Sequence, residues 1–422
     1  MKKLILEVQK HPALRIIGVI FCLEHLLTIL FWLTERPLHW ILSPSNAPIC
    51  WPFFSSCELF KPSPGILNFI LVLYGLFAIA GAIAWWNKKV RLATSLLLIL
   101  ILFKISIIAL DYRLTGNYHY LPTMLALVFL LIPERRFSLT VSFFIIYFTA
   151  GVLKINSQWL TGTAINDHIM PSYMTTLGVW YVLVLELGLI FFLFSKKDRW
   201  FYFLFFQLVY FHLYSWHLTR FFYPVVMLSL LGILLIVRPT VEEWNIKESF
   251  KKAFSTKTAQ ILLLIFLILQ LPQYLIPGNS ALTGEGRMYA MIMYDGRVQC
   301  QPHLSIWKKD GSKEDLSLQP PWLMTRTQCD PLIYWRLAQK TCEWVKNDNS
   351  IIQVDLAIPI RNDKNSPWHP LVSTIDVCRN NYAYYSFFPN SWINKIDPSS
   401  YTEAVEPEEE GGGADGGEIL GD

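Results

Sequence analysis

Tyr147, Gly151 and Lys154 stand at i, i+4 and i+7 in the stretch Tyr147-Phe-Thr-Ala-Gly-Val-Leu-Lys154-Ile-Asn-Ser-Gln-Trp159-Leu-Thr-Gly162, which closes an apolar run from Phe137 to Leu153. An ammonium beside hydrocarbon is costly, so such a lysine is a functional candidate by default. Desolvation favours the neutral amine, which can take a proton as a general base. The helical spacing puts the three residues on one face, and Gly151 leaves room beneath the amine for a flat ring. The competing reading is a lysine that snorkels to the interface with no further role.

Other polar residues gather near the same depth. Asn117 and His119 open one apolar stretch, and His212, His217 and Arg220 close another. Lys104 and Glu186 lie within apolar runs and either point into a bundle or pair there as structural charges. Each histidine also has a plain packing role open to it, and tyrosines and tryptophans at the ends of apolar runs fit an aromatic belt. Metal-ligand spacings, a P-loop and a dinucleotide fingerprint are missing from the sequence, so neither a metal nor a nucleotide is expected.

The elements that must position these groups are long apolar blocks. Hydrophobic residues make up 53% of the 422 and charged residues only 16%, which predicts a polytopic α-helical membrane protein. About nine transmembrane helices are expected, near 16–33, 66–86, 92–110, 119–132, 137–154, 176–194, 200–217, 221–237 and 259–276. With the N-terminus cytoplasmic, the inside segments carry 17 lysines and arginines and the short outside loops carry 4. That asymmetry predicts a cytoplasmic N-terminus and an extracytoplasmic C-terminal domain, with the first span acting as an uncleaved signal. The positive balance belongs to the inside loops, so membrane lipids and no nucleic acid are the expected surroundings.

The transmembrane part is assigned to 1–277. From 278 to 400 the pattern changes to short alternating runs, Met288 to Met293, His303 to Trp307 and Ile351 to Ile360, with one helical stretch near Pro331 to Lys346. This predicts a small α+β extracytoplasmic domain. Residues 401–422 form a Gly-rich tail, with eight acidic and no basic residues from Glu403 onward, and are expected to be disordered. Six of the seven cysteines, Cys50, Cys57, Cys300, Cys329, Cys342 and Cys378, fall on the outside, which suggests up to three disulfides of open connectivity.

The Lys154 motif resembles that of the HTTM superfamily of vitamin K-dependent gamma-carboxylase-like membrane proteins. Asn117-Tyr-His119-Tyr-Leu looks like that family's Asn/His segment, and Phe211-His212-Leu like its Phe-His element. The similarity continues through Met288-Tyr-Ala-Met-Ile-Met, Pro302-His-Leu-Ser-Ile-Trp and Tyr334-Trp-Arg-Leu-Ala-Gln-Lys-Thr-Cys342, and so covers most of residues 1–375.

The resemblance implies a reduced naphthoquinone such as vitamin K as cofactor, with oxygen and carbon dioxide as co-substrates. It implies carboxylation of glutamate in a secreted peptide or protein, chemistry whose driving energy must come from a cofactor. Lys154 then deprotonates the hydroquinone, and His119 with Asn117 orients or stabilises oxygenated intermediates. Tyr147, Gly151 and His212 line the cofactor, and Arg220 and Tyr289 contact the substrate. The resemblance also implies a disulfide joining Cys57 to Cys342. A non-carboxylating member that assists maturation or export of a secreted peptide, or a quinone-binding membrane protein, are the alternatives.

Overall fold

A computed structural model describes residues 2–43, 46, 48–162, 171–219, 222–238, 246–269, 271–278, 280–286, 298–318, 328–361, 367–380 and 382–395. The expected disordered tail, 401–422, lies outside these residues. The chain begins with the amphipathic helix α1 (Lys2–Lys10), followed by α2 (Leu14–Thr34), α3 (Pro64–Trp86), α4 (Val90–Leu110), α5 (Asn117–Leu131) and α6 (Arg135–Leu153). Then come α7 (Ser172–Leu187), α8 (Asp198–Thr219), α9 (Tyr223–Val237), α10 (Ile246–Ala253) and α11 (Lys257–Ile268).

Each of the nine stretches expected to span carries a helix. Five are long and apolar enough to cross a membrane: α2, α3, α4, α6, and α7 together with the 3-10 turn that continues it to Phe194. The other four are shorter or more polar. Pro122 lies inside the 15-residue α5, and α8 carries Asp198, Arg199, His212 and His217.

The helix ends follow from local chemistry. The Ser63 hydroxyl accepts the Ile66 N–H, with Pro64 at the first helical position of α3, where a missing N–H costs nothing. Lys88 adopts φ 62°, and the Lys89 N–H returns to the Ala84 carbonyl, which ends α3 and turns the chain into α4. Small residues let α2 and α3 close up. A Cβ on Gly18 would fall 2.3 Å from the Trp85 ring, and one on Gly81 2.9 Å from Cys22 Sγ.

The C-terminal unit is an antiparallel sheet against a helix. Strand β1 (Gln299–Cys300) and β2 (His303–Lys308) pair with one edge of β4 (Ile351–Arg361), β3 (Lys313–Ser317) pairs with β2, and β5 (His369–Thr374) takes the other edge of β4. Helix α12 (Pro331–Val345) precedes β4 in the chain. In β4, Val354, Leu356, Ile358 and Ile360 are buried in strict alternation, as a half-covered strand requires. The small α+β expectation is met, though its Met288–Met293 run lies outside the described residues.

Three disulfides form: Cys50–Cys57, Cys300–Cys329 and Cys342–Cys378. The expected Cys57–Cys342 bond is therefore corrected. Each of those cysteines has a partner close in sequence at a Cα separation suited to a disulfide, 5.5 Å for Cys57 and 5.3 Å for Cys342. The first interhelical loop and α12 still meet, through an ion pair between Glu58 and Lys340. A second tie joins bundle to sheet unit: the Tyr112 hydroxyl, just beyond α4, donates to Asp330 Oδ2 at 2.7 Å.

Candidate functional site

Asn156 organises the Lys154 motif. Its amide donates to the Leu153 carbonyl at 2.8 Å, satisfying the end of α6, and its Oδ1 accepts the Trp159 N–H at 3.0 Å. One side chain thus finishes one helix and starts the short turn Ser157–Leu160. The result folds Trp159 back over the lysine, with Nζ 5.3 Å from the ring centroid.

Lys154 is only 4% exposed and does not snorkel. Its Nζ donates to both carboxylate oxygens of Glu186 on α7, at 2.6 and 2.9 Å, and to the Ala150 carbonyl at 3.4 Å. All three ammonium hydrogens are accounted for. One turn back on α6, the Tyr147 hydroxyl lies 2.7 Å from His212 Nε2 on α8. His212 Nδ1 is buried without a hydrogen-bond partner. Tyr147 and His212 are each about 1% exposed, and Lys154 and Glu186 are their charged neighbours.

Gly151 has a different part from the one expected. A Cβ there would fall 2.8 Å from Leu187 Cδ2 and 2.9 Å from Glu186 Cβ. The space left by the missing side chain is filled by α7, so Gly151 brings Glu186 up to Lys154 and leaves no room for a ring on that side.

His119 and Asn117 belong to a second buried cluster, built on α2 to α5. His119 is 1% exposed, neither ring nitrogen has a hydrogen-bond partner, and it packs edge-on against Phe31 at 5.5 Å and Tyr118 at 4.5 Å. Trp32 lies 5.5 Å away on another side. Lys104, Arg36 and His25 are the ionisable neighbours of His119. Around Lys104 stand Glu24, and His25 bonded to the Tyr74 hydroxyl. No hydrogen bond, ring contact or ion pair links His119 to Lys154.

The sequence reading overlooked Glu24, His25 and Tyr74. The signal was available, since Glu24 interrupts the apolar run of α2 just as Lys154 ends that of α6. Lys104 and Glu186, left open as possible partners of one another, have separate ones. His217 is exposed in the last turn of α8 and joins neither cluster. Arg220 and Tyr289, the expected substrate contacts, lie outside the described residues. Among the described residues no group of side chains is arranged to hold a metal ion.

What fold and site define is a mostly helical protein with several membrane-length helices, two buried ionisable clusters and a small disulfide-bonded C-terminal sheet unit. Comparison with family models, curated proteins and solved structures returned no match.

Proposed function

We propose that this chain is a multi-pass membrane enzyme of the vitamin K-dependent gamma-carboxylase type, with a cytoplasmic N-terminus, about nine spans and the C-terminal unit outside. The observation that carries the reading is the buried Lys154–Glu186 pair beside Tyr147 and His212. Two opposite charges taken out of water are retained at a cost that only close geometry offsets, which favours a working role over a structural one.

Nζ donates to both carboxylate oxygens, so a proton can pass between the amine and Glu186. When it sits on Glu186, Nζ is a neutral amine with a lone pair, and no net charge has moved into the bundle. In that form Nζ can take one proton as a general base, which leaves an ammonium beside a carboxylic acid and one net positive charge. Tyr147 donates toward His212 or accepts from it, according to the imidazole tautomer.

Fit to a quinol rests on the buried, unpartnered nitrogens. His212 Nδ1 and the two ring nitrogens of His119 are polar atoms for which a ligand's oxygens would supply partners. Lys154, Tyr147 and His212 would hold one end of such a ligand, and His119 with Asn117 is the corresponding group on the α5 side. A reduced naphthoquinone would supply, with oxygen, the energy to remove a glutamate γ-proton, and carbon dioxide would then be fixed.

The test uses the full chain in phospholipid vesicles with reduced naphthoquinone, labelled carbon dioxide and a Glu-containing peptide. Label is expected in the peptide only when the quinone is reduced. Its absence at every quinone tested would discard the carboxylase reading.

A further inference from the structure

Asn390 winds a tight turn around its own side chain. Its Oδ1 accepts the Tyr385 N–H at 2.6 Å, and its amide donates to the carbonyls of Tyr385 and Phe388 at 3.1 and 3.4 Å. Asn390 is itself clamped, its backbone N–H and its amide both donating to Glu285 Oε1, at 2.7 and 3.0 Å. This fixed turn presents its aromatics outward: Tyr385 is 57% exposed, Phe387 53% and Phe388 69%. Single exposed apolar residues are ordinary, but three on one rigid turn form a patch that marks a contact surface.

Its place in the fold indicates what it contacts. Tyr384 and Trp392, which flank the turn, pack on Trp335 at 6.2 and 6.3 Å. Trp335 lies near the start of α12, whose capping residue Asp330 is bonded to Tyr112 at the end of α4. Glu285 belongs to the segment that follows α11, and a Cβ on Gly278 in that segment would lie 4.0 Å from Lys395 Cβ. The base of the turn is therefore tied both to the segment that follows α11 and, through Trp335, to the helix whose capping residue bonds Tyr112. Upstream of Glu285 and Gly278, the chain coming from α11 exposes Leu271, Tyr274 and Leu275, at 48%, 54% and 69%.

We propose that the 385–388 turn is an interfacial foot, which lays Tyr385 and Phe388 into the headgroup layer of the outer leaflet beside the point where the chain leaves α11. Amphipathic aromatic rings favour that layer, and the clamp on Glu285 ties the turn to the chain that leaves the last helix. A peptide substrate is the competing occupant. The tie to the segment that carries the exposed Leu271, Tyr274 and Leu275 favours lipid, because those residues have no part in the sheet unit. This inference rests on the multi-pass reading, with α11 as the last span, and is independent of any carboxylase activity.

The experiment places a photoreactive benzoyl-phenylalanine at Phe388 or, in a separate protein, at Leu275, with the full chain in phosphatidylcholine vesicles. After illumination, mass spectrometry is expected to find phospholipid adducts at both positions, and to find them at 388 in the presence of a Glu-containing peptide as well. Adducts at 275 with none at 388 would overturn the foot and leave the membrane reading intact. Crosslinking of 388 to the added peptide in place of lipid would overturn it in favour of substrate docking. Absence of lipid at 275 too would remove the span reading of α11, and the proposal with it.

Discussion

Phe222 and Tyr223 are neighbours in sequence that serve different clusters: Phe222 packs on Phe31 at 5.4 Å, and Tyr223 on His212 at 6.3 Å. Phe31 is a wall of the His119 cluster, and His212 is bonded to Tyr147 in the Lys154 cluster. The first turn of α9 therefore touches both buried sites.

Replacing one member of the Lys154–Glu186 pair leaves the other charge buried and alone. Glu186→Leu is expected to lower stability by about 3–5 kcal/mol, while Lys154→Met with Glu186→Leu should recover much of the loss. Thermal unfolding of the purified variants measures it. A double variant no more stable than the single one would show that the two charges are not coupled.

For the proposed reaction, Lys154→Ala is expected to reduce quinol-dependent carboxylation by roughly 10² to 10⁴, the usual contribution of a general base. Lys154→Arg should fail equally, because a guanidinium is not deprotonated in proteins. Full activity of Lys154→Arg would remove the base assignment.

How far the sequence disclosed this site depends on what each residue touches. Lys154 stood out because a cation ending an apolar run violates local expectation, and Tyr147 followed from helical periodicity. Glu186 as its partner did not, since α6 and α7 are brought together by packing around Gly151, which a one-dimensional pattern cannot report. The wrong disulfide was implied by the family resemblance, the sequence itself having left the connectivity open. Cys57 and Cys342 do lie in segments that meet, but Cys50 and Cys378 were closer in space. The helices of the nine expected stretches, whose periodicity and length are local, were legible, while the short α1 and α10 and the sheet register were not.

Tyr112→Phe should loosen the junction of bundle and sheet unit by about 1.5–3 kcal/mol, the range for a hydrogen bond to a charged group. Hydrogen exchange over 328–345 is the readout. Unchanged protection there would mean that Asp330 is held sufficiently by its other contacts.

The Glu285–Asn390 clamp carries a pH signature. Burial raises the Glu285 carboxyl above its ordinary range, against the lowering effect of the Asn390 donors. A folded-state value above the unfolded one means that its stabilisation is complete below the ordinary carboxylate pKa, about 4.3, and is lost as pH rises through the folded value. Exchange over 384–395, corrected for intrinsic rates, should therefore be slower near pH 4 than near pH 7. Glu285→Gln, which keeps an acceptor for Asn390, should flatten that difference, and a variant as pH-dependent as the parent would exclude Glu285 as its source.

Every covalent crosslink in this protein closes a short stretch of chain, with sequence separations of 7, 29 and 36 residues. The first knot is complete before α3 has been synthesised, and the other two need nothing made before residue 300. Oxidation can thus keep pace with synthesis, each bond sealing a segment soon after it is made, with no wait for a partner distant in the chain. What fastens the finished sheet unit to the bundle is the chain itself and reversible contacts such as Tyr112–Asp330, so a reductant would loosen each part from within without severing a covalent bridge between them.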